Sequence, residues 1–471
     1  MQDSIAMAGT AERAQPSPRR LIFMTVLVAT MGALAFGYDT GIIAGALPFM
    51  TLPIDQGGLG LNAFTEGLIT SSLIVGAAIG SLASGYISDR FGRRSTLRSL
   101  AVLFVLGALG TAVAPNVSVM TAMRFVLGLA VGGGSATVPV FIAEIAGPKR
   151  RGRLVSRNEL MIVTGQLLAY MLSALLAWAL QRNDIWRYML AIAMVPGILL
   201  FVGTFLVPTS PRWLAAKGRI DEAEAVLKRL RDTPEEAHQE ALELGDHARA
   251  ARKHPPLGEL LRQRWVIKLL LIGVGLGFVI QFTGVNAFMY YTPIILKSTG
   301  LGTHAALTAT IGNGVVSVIA TVLGIWAIGR VGRRTLLMGG LCVVIVAQLA
   351  LGTVLSMLPN SLLQSYLALT CILVFLLFMQ MCISPVYWLL MSELFPNQVR
   401  GVLTGAAVSM QWVSNALVAF AFPMALEWIG NATFYVFAVL NLGSLCFVAL
   451  CLPETKGKSL EEIERHLKKA L

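Results

Sequence analysis

Gly85-Tyr-Ile-Ser-Asp-Arg-Phe-Gly-Arg-Arg94 is echoed far downstream by Gly329-Arg-Val-Gly-Arg-Arg334, and the order in which these stretches recur decides the architecture. Each sits just after a long apolar stretch, and each has a second motif behind it. Glu144 is followed seven residues later by Arg151-Gly152, and Glu393 is followed seven later by Arg400-Gly401. Two motifs repeated in the same order point to a duplicated chain. In a membrane, duplicated halves are the form expected for alternating access, one half rocking against the other.

Outward from these motifs, apolar stretches of roughly 20 residues, enough to cross about 30 Å of hydrocarbon as helix, occupy 21–44, 66–87, 96–114, 119–142, 155–179, 188–207, 266–290, 306–328, 334–356, 362–390, 402–424 and 433–452. The motifs of the second set lie six stretches after their counterparts. The pattern predicts an all-α membrane protein of twelve transmembrane helices in two pseudo-symmetric six-helix bundles, residues 21–207 and 266–452. Gly, Pro and polar residues interrupt the first, seventh and tenth stretches. Such interruptions are tolerated only where backbone is buried in protein or lines a polar cavity.

Composition agrees. Hydrophobic residues make up 56% of 471 and charged residues 13%, whereas soluble domains are about a quarter charged. The net charge of +12 is concentrated in short loops: Arg19 and Arg20, then Arg90, Arg93, Arg94 and Arg98, then Lys149 to Arg157, then Arg330, Arg333 and Arg334. Residues 51–65 carry Asp55 and no Lys or Arg, and 111–120 carry no charge. This is the positive-inside distribution, which predicts both termini in the cytoplasm and argues against a nucleic-acid partner. The five cysteines form no pair of metal-ligand spacing and no disulfide frame, so neither metal nor cofactor is expected.

Outside the spans, residues 1–20 read as a disordered cytoplasmic tail rather than a cleaved signal. Residues 208–265 read as a cytoplasmic helical linker, in which Asp221, Glu222 and Glu224 open one amphipathic segment and Lys228, Arg229 and Arg231 close it, matching the helix dipole. Residues 453–471 are expected to form a cytoplasmic C-terminal helix over 459–469.

With these features in order, the chain resembles the sugar porter branch of the major facilitator superfamily. The resemblance spans Phe23 to Glu464 and rests on Phe36-Gly-Tyr-Asp-Thr-Gly41, Asp89-Arg-Phe-Gly-Arg-Arg94, Arg124-Phe125, Glu144 with Arg151-Gly152, Pro208-Thr-Ser-Pro-Arg-Trp-Leu214, Gln281-Phe-Thr-Gly-Val-Asn286 with Tyr290-Tyr291, Pro385-Val-Tyr-Trp388 and Pro453-Glu-Thr-Lys-Gly457. The run Asn158-Glu-Leu-Met-Ile-Val-Thr-Gly-Gln-Leu-Leu-Ala-Tyr170 is more specifically similar to bacterial myo-inositol transporters. The resemblance implies a proton-coupled symporter for a neutral polyhydroxylated solute, functional as a monomer among membrane lipids. Hexose or pentose symport, passive uniport and sugar sensing on the same scaffold stay open as alternatives.

An ionised side chain inside a span costs about 2.5 to 3.5 kcal/mol unless it meets a cavity or a partner. Asp39 in the first span and Arg124 in the fourth are both such residues, and their charges are complementary. The resemblance implies that Asp39 binds the proton and that Arg124 tunes its affinity; a fixed ion pair that merely orients helices is the alternative. Passive porters of this branch generally lack the carboxylate.

A sugar or polyol needs Gln and Asn, which donate and accept, together with aromatic faces for its C–H surfaces. The resemblance implies such a pocket at Phe36, Gln166, Gln281, Asn286, Tyr290, Asn313, Trp388, Gln411 and Trp412, with helix–helix hydrogen bonding and packing as the competing uses. Three residues depart from the family pattern: Glu159 stands where a pocket glutamine is common, Ile280 replaces the first of paired glutamines, and Ser384 replaces a glycine. Glu159 can accept two bonds from neighbouring hydroxyls, as found around an inositol ring, and is added to the candidate pocket. It could instead be protonated or paired with a basic group.

The basic motifs read as cytoplasmic gates: Asp89, Arg93, Arg94, Glu144 and Arg151 in the first half, and Arg333, Arg334, Glu393 and Arg400 in the second. Positive-inside topology alone accounts for the arginines but not for Glu144 and Glu393. Because Gly329 stands where the first half has Asp89, the networks are expected to differ in strength. No nucleophile elbow, histidine cluster or nucleotide loop suggests an enzyme; Gly132-Gly-Gly134 lies within a span and reads as a helix contact.

Overall fold

Gly37, Gly41 and Gly45 recur every fourth residue along the first span, and a Cβ at any of them would collide with the fifth span, at the Ile162 carbonyl, the Gln166 carbonyl and the Ser173 side chain. Between the second and fourth spans the device is reciprocal. Gly76 and Gly80 meet the carbonyls of Phe125 and Leu129, while Gly128 and Gly132 meet those of Leu73 and Ala77. Apolar burial distinguishes poorly between lipid and protein, so close backbone approach through small residues is what holds membrane helices together.

The computed structural model describes residues 17–146, 151–251, 263–395 and 400–455, of which 151–156, 247–251, 392 and 400–402 without their side chains. The tail before 17, the helix expected over 459–469 and the side chains of Arg151 and Arg400 lie outside the described residues. Twelve spans run Pro18–Met50, Ala63–Phe91, Arg93–Ala112, Val117–Ile145, Arg157–Leu180, Ile185–Gly203, Arg264–Ser298, Thr303–Ile328, Arg333–Met357, Leu362–Met391, Leu403–Ile429 and Ala432–Cys451. They form two pseudo-symmetric six-helix bundles. Leu175, Leu199, Val346 and Val439 are exposed on the outside, as a lipid-facing surface requires.

The interruptions fall partly where the sequence suggests. The seventh span breaks between Phe282 and Val285, with Gly284 at φ +78°, a left-handed conformation that glycine adopts freely. Its freed carbonyls are satisfied: Asn441 Nδ2 donates to the Phe282 carbonyl at 3.2 Å and Gln348 Nε2 to that of Thr283 at 2.7 Å. The tenth span carries a π-helical turn over Met379–Ile383. Pro385, which has no N–H to give the Met381 carbonyl, explains the local widening. The first span, by contrast, is one unbroken helix, because its glycines serve contact with the fifth span rather than a break. An unexpected break interrupts the sixth span at Ala193, three residues before Pro196.

The motif-bearing ends of the spans define one end of the molecule. There three linker helices, Pro211–Ala216, Ile220–Leu230 and Pro234–Ala251, pack on the first bundle. Trp213 Nε1 donates to the Asp89 carbonyl at 2.9 Å. Arg231 follows the second linker helix, grips Glu240 through two bonds of 2.5 and 2.8 Å, and donates to the Ile145 carbonyl. Lys228 of the second linker helix and His238 of the third hold the Glu224 carboxyl below the usual carboxylate range by hydrogen bonding.

At the opposite end the two bundles touch. Phe64 and Phe420 meet edge to face with ring centroids 5.6 Å apart, and the Thr70 hydroxyl donates to the Ala419 carbonyl at 3.3 Å. Gly314 of the eighth span sits against Leu167 of the fifth.

Candidate functional site

Asp39 and Arg124 meet inside the first bundle. Arg124 Nη1 donates to Asp39 Oδ1 at 2.8 Å, and each side chain is 1% exposed. The close first-to-fifth span packing presses Asp39 inward, and the fourth span brings Arg124 to it. Asp39 Oδ2 and Arg124 Nε are buried and find no hydrogen-bond partner among the described residues. Tyr290, from the seventh span of the other bundle, lies within electrostatic reach of both charges.

Around that pair, the second segment of the seventh span is held from across the molecule. The Tyr170 hydroxyl donates to the Met289 carbonyl at 3.4 Å, and Gln166 Nε2 lies 3.4 Å from the Met289 sulfur. Gln166 Oε1 is buried without a partner among the described residues. On the second bundle, Asn286 Nδ2 donates to Asn415 Oδ1 at 2.7 Å and to Gln281 Oε1 at 3.2 Å. The Tyr387 hydroxyl donates to Gln411 Oε1 at 3.3 Å. Phe36 of the first bundle faces Trp412 of the second with ring centroids 6.2 Å apart. The Trp412 indole N–H is buried and unpartnered among the described residues.

Two sequence-selected residues sit differently. Asn313 is fully buried, and its Nδ2 donates to the Thr292 hydroxyl at 2.9 Å, a contact between the seventh and eighth spans. Trp388 is 41% exposed and lies edge-on to Tyr387 at 5.2 Å, so Tyr387 is the aromatic joined to Gln411. Asn415, Tyr387 and Tyr170 were not singled out in the sequence. Asn415 lies four residues after Gln411, one helical turn along the same face, which was the available signal.

Two of the three departures meet. Ser384 of the tenth span donates from its hydroxyl to Glu159 Oε1 of the fifth at 3.4 Å, joining opposite bundles. A glycine at 384 has no hydroxyl to offer, so the serine and the carboxylate form one polar unit.

At the motif end each half repeats one arrangement. Arg93 pairs with Asp89 at 2.8 Å and Glu144 at 3.0 Å, and the Ser210 hydroxyl donates to Glu144 at 2.6 Å. In the second half Arg333 pairs with Glu393 at 2.9 Å and the Thr455 hydroxyl donates to Glu393 at 2.7 Å. Arg94 and Arg334 both donate to backbone carbonyls, of Thr204 and Ala449. Where Gly329 leaves no carboxylate, Glu454 accepts the backbone N–H of Arg333 at 2.8 Å and of Arg334 at 3.2 Å. The two networks therefore differ in composition, and each ties spans of its own bundle together.

The chain as a whole has counterparts in known proteins. The family described as "Sugar (and other) transporter" matches residues 25–467. The chain belongs to the sugar transporter family. The major myo-inositol transporter IolT of Bacillus subtilis (strain 168) is 47% identical over 449 residues, covering 94% of this chain and 93% of its own. The galactose-proton symporter of Escherichia coli (strain K12) is 36% identical over 469 residues, covering 98% and 97%. Among solved structures, the inward-open conformation of the xylose transporter XylE from E. coli superposes with a TM-score of 0.80 at 31% identity, covering 94% of this chain and 99% of that one. Members of the sugar transporter family are multi-pass membrane transporters rather than enzymes, and this chain is one of them.

Proposed function

We propose that the protein imports a polyol or monosaccharide together with a proton, with myo-inositol as the favoured cargo, by alternating access in a bacterial inner membrane. The observation that carries this reading is the buried Asp39–Arg124 pair, in which one carboxylate oxygen is engaged at 2.8 Å and the other is unpartnered among the described residues. A proton on Oδ2 neutralises the carboxylate and weakens the hold of Arg124, which links the charge state of the site to helix position. Neutral amides at Gln166, Gln281, Asn286, Gln411 and Asn415, with Phe36 and Trp412, suit an uncharged ring of hydroxyls. Likeness to a myo-inositol transporter and to a galactose-proton symporter supports the cargo class and the coupling.

In this reading the motif end and both termini face the cytoplasm, and the end where the bundles touch faces outward. Likeness to an inward-open xylose transporter fits that orientation. Glu159 with Ser384 supplies a carboxylate acceptor suited to adjacent hydroxyls, which favours inositol over the monosaccharides. The full chain acts as a monomer.

The test is uptake into proteoliposomes from a panel of labelled polyols and sugars, with and without an inward proton gradient. Gradient-driven accumulation with myo-inositol as the best substrate is expected. Equilibration without accumulation would mean uniport, and a hexose or pentose as best substrate would replace the inositol assignment.

A further inference from the structure

Away from the central site, a cavity of about 530 Å³ opens at the motif end between the first turn of the third span and the linker helix Ile220–Leu230. The third span starts abruptly after Gly92, whose φ is +92°. No side chain caps its first turn, and no acidic residue lies there. The leading N–H groups of a helix carry partial positive charge and attract anions. Gly92, Arg94, Ser95 and Arg98 line that side of the cavity, and Trp213 and Arg219 line the other.

Arg94 and Arg98, one turn apart, bring two full charges to the same wall, and the partners of both are neutral. Arg94 donates to the carbonyls of Thr204 at 2.7 Å and Phe205 at 3.2 Å. Arg98 donates to the Thr204 hydroxyl at 3.1 Å and lies 4.0 Å over the Phe205 ring. Glu222, the carboxylate in the cavity wall, is taken up by Arg219 through two bonds of 2.6 and 2.5 Å. Phe91, Phe205 and Leu206 are more than half exposed beside this basic wall, as side chains facing acyl chains are.

We propose that this cavity binds a phosphate-bearing anion that bridges the third span and the linker helices. A phosphate group accepts from helix N-terminal amides and from guanidinium forks at once, which is the donor set present here. The headgroup of an anionic phospholipid and a soluble phosphate share that chemistry. The exposed aromatic flank favours the lipid.

Native mass spectrometry on the delipidated full chain tests the site, using dihexanoyl phosphatidylglycerol, dihexanoyl phosphatidylcholine as the zwitterionic control, and inorganic pyrophosphate. Phosphatidylglycerol is expected to bind at least about tenfold more tightly than phosphatidylcholine, and both Ser95→Asp and Arg98→Gln are expected to weaken it at least about tenfold. Ser95→Asp places a carboxylate in the first turn, where it favours the helix, so the unliganded thermal midpoint should hold or rise while the external anion is repelled. Pyrophosphate binding lost in the same variants, with the two lipids equal, supports the site and assigns it to a soluble anion. The proposal is overturned if neither anion exceeds the phosphatidylcholine control, or if both variants bind as wild type does.

Discussion

Replacing Asp39 by asparagine keeps the shape of the side chain and removes its charge, which separates coupling from architecture. With one proton carried per solute, an inward gradient of one pH unit supplies about 1.4 kcal/mol, enough for about tenfold accumulation. Asp39→Asn is expected to lower that ratio to about one while leaving counterflow exchange of labelled solute across the same liposomes. A stability cost accompanies the change, because Arg124 is 1% exposed and loses the carboxylate it holds at 2.8 Å. Breaking a buried pair from one side costs about 3–5 kcal/mol. The single variant should therefore melt well below wild type, and Asp39→Asn with Arg124→Gln should recover much of the loss. Accumulation close to tenfold in Asp39→Asn would refute the coupling role. A folded variant that neither concentrates nor exchanges solute would place Asp39 in cargo binding instead.

Three further outcomes follow from the geometry. Glu159→Gln, which removes the charge facing the Ser384 hydroxyl, should change the ranking of polyols against hexoses in a competition panel; an unchanged ranking takes the residue out of the recognition site. Asn415→Ala withdraws the 2.7 Å acceptor of Asn286, and a lost hydrogen bond of about 1–1.5 kcal/mol should raise KM about tenfold with the accumulation ratio unaltered. Gly128→Val drives a Cβ into the Leu73 carbonyl and should abolish the monodisperse peak in fluorescence-detected size exclusion. Gly134→Ala, with nothing within 4 Å of a new Cβ, should elute as wild type does.

The twelve spans were legible because hydrocarbon imposes a length and a composition on each, and the duplication was legible because its motifs recur in order. Asp39 and Arg124, 85 residues apart, could be matched by charge alone, since an unpaired ion in an apolar span is costly. Neutral partners carry no such signal. Gln348 and Asn441 look like any amide in a span, and only the broken seventh helix reveals that they serve its freed carbonyls. Ser384 and Glu159 are 225 residues apart and each looked like an isolated departure until the fold joined them. Ser210 and Thr455 lie in motifs that were recognised, but their bonds to Glu144 and Glu393 depend on how the chain returns after the sixth and twelfth spans. The sixth-span break was missed because Pro196 sits in an otherwise continuous apolar run.

Among the described residues, the polar contacts that join the bundles between the central site and the end opposite the motifs are few and long: Thr70 to the Ala419 carbonyl at 3.3 Å, Tyr170 to the Met289 carbonyl at 3.4 Å, and Gln166 to the Met289 sulfur at 3.4 Å. Each contributes about 1 kcal/mol or less, and the apolar remainder exchanges protein neighbours for lipid at little net gain. A shift from one dominant state to the other needs about 5.5 kcal/mol of differential binding. The contacts holding that side together are thus of the same order as the binding energy that a solute with a handful of hydroxyls can supply.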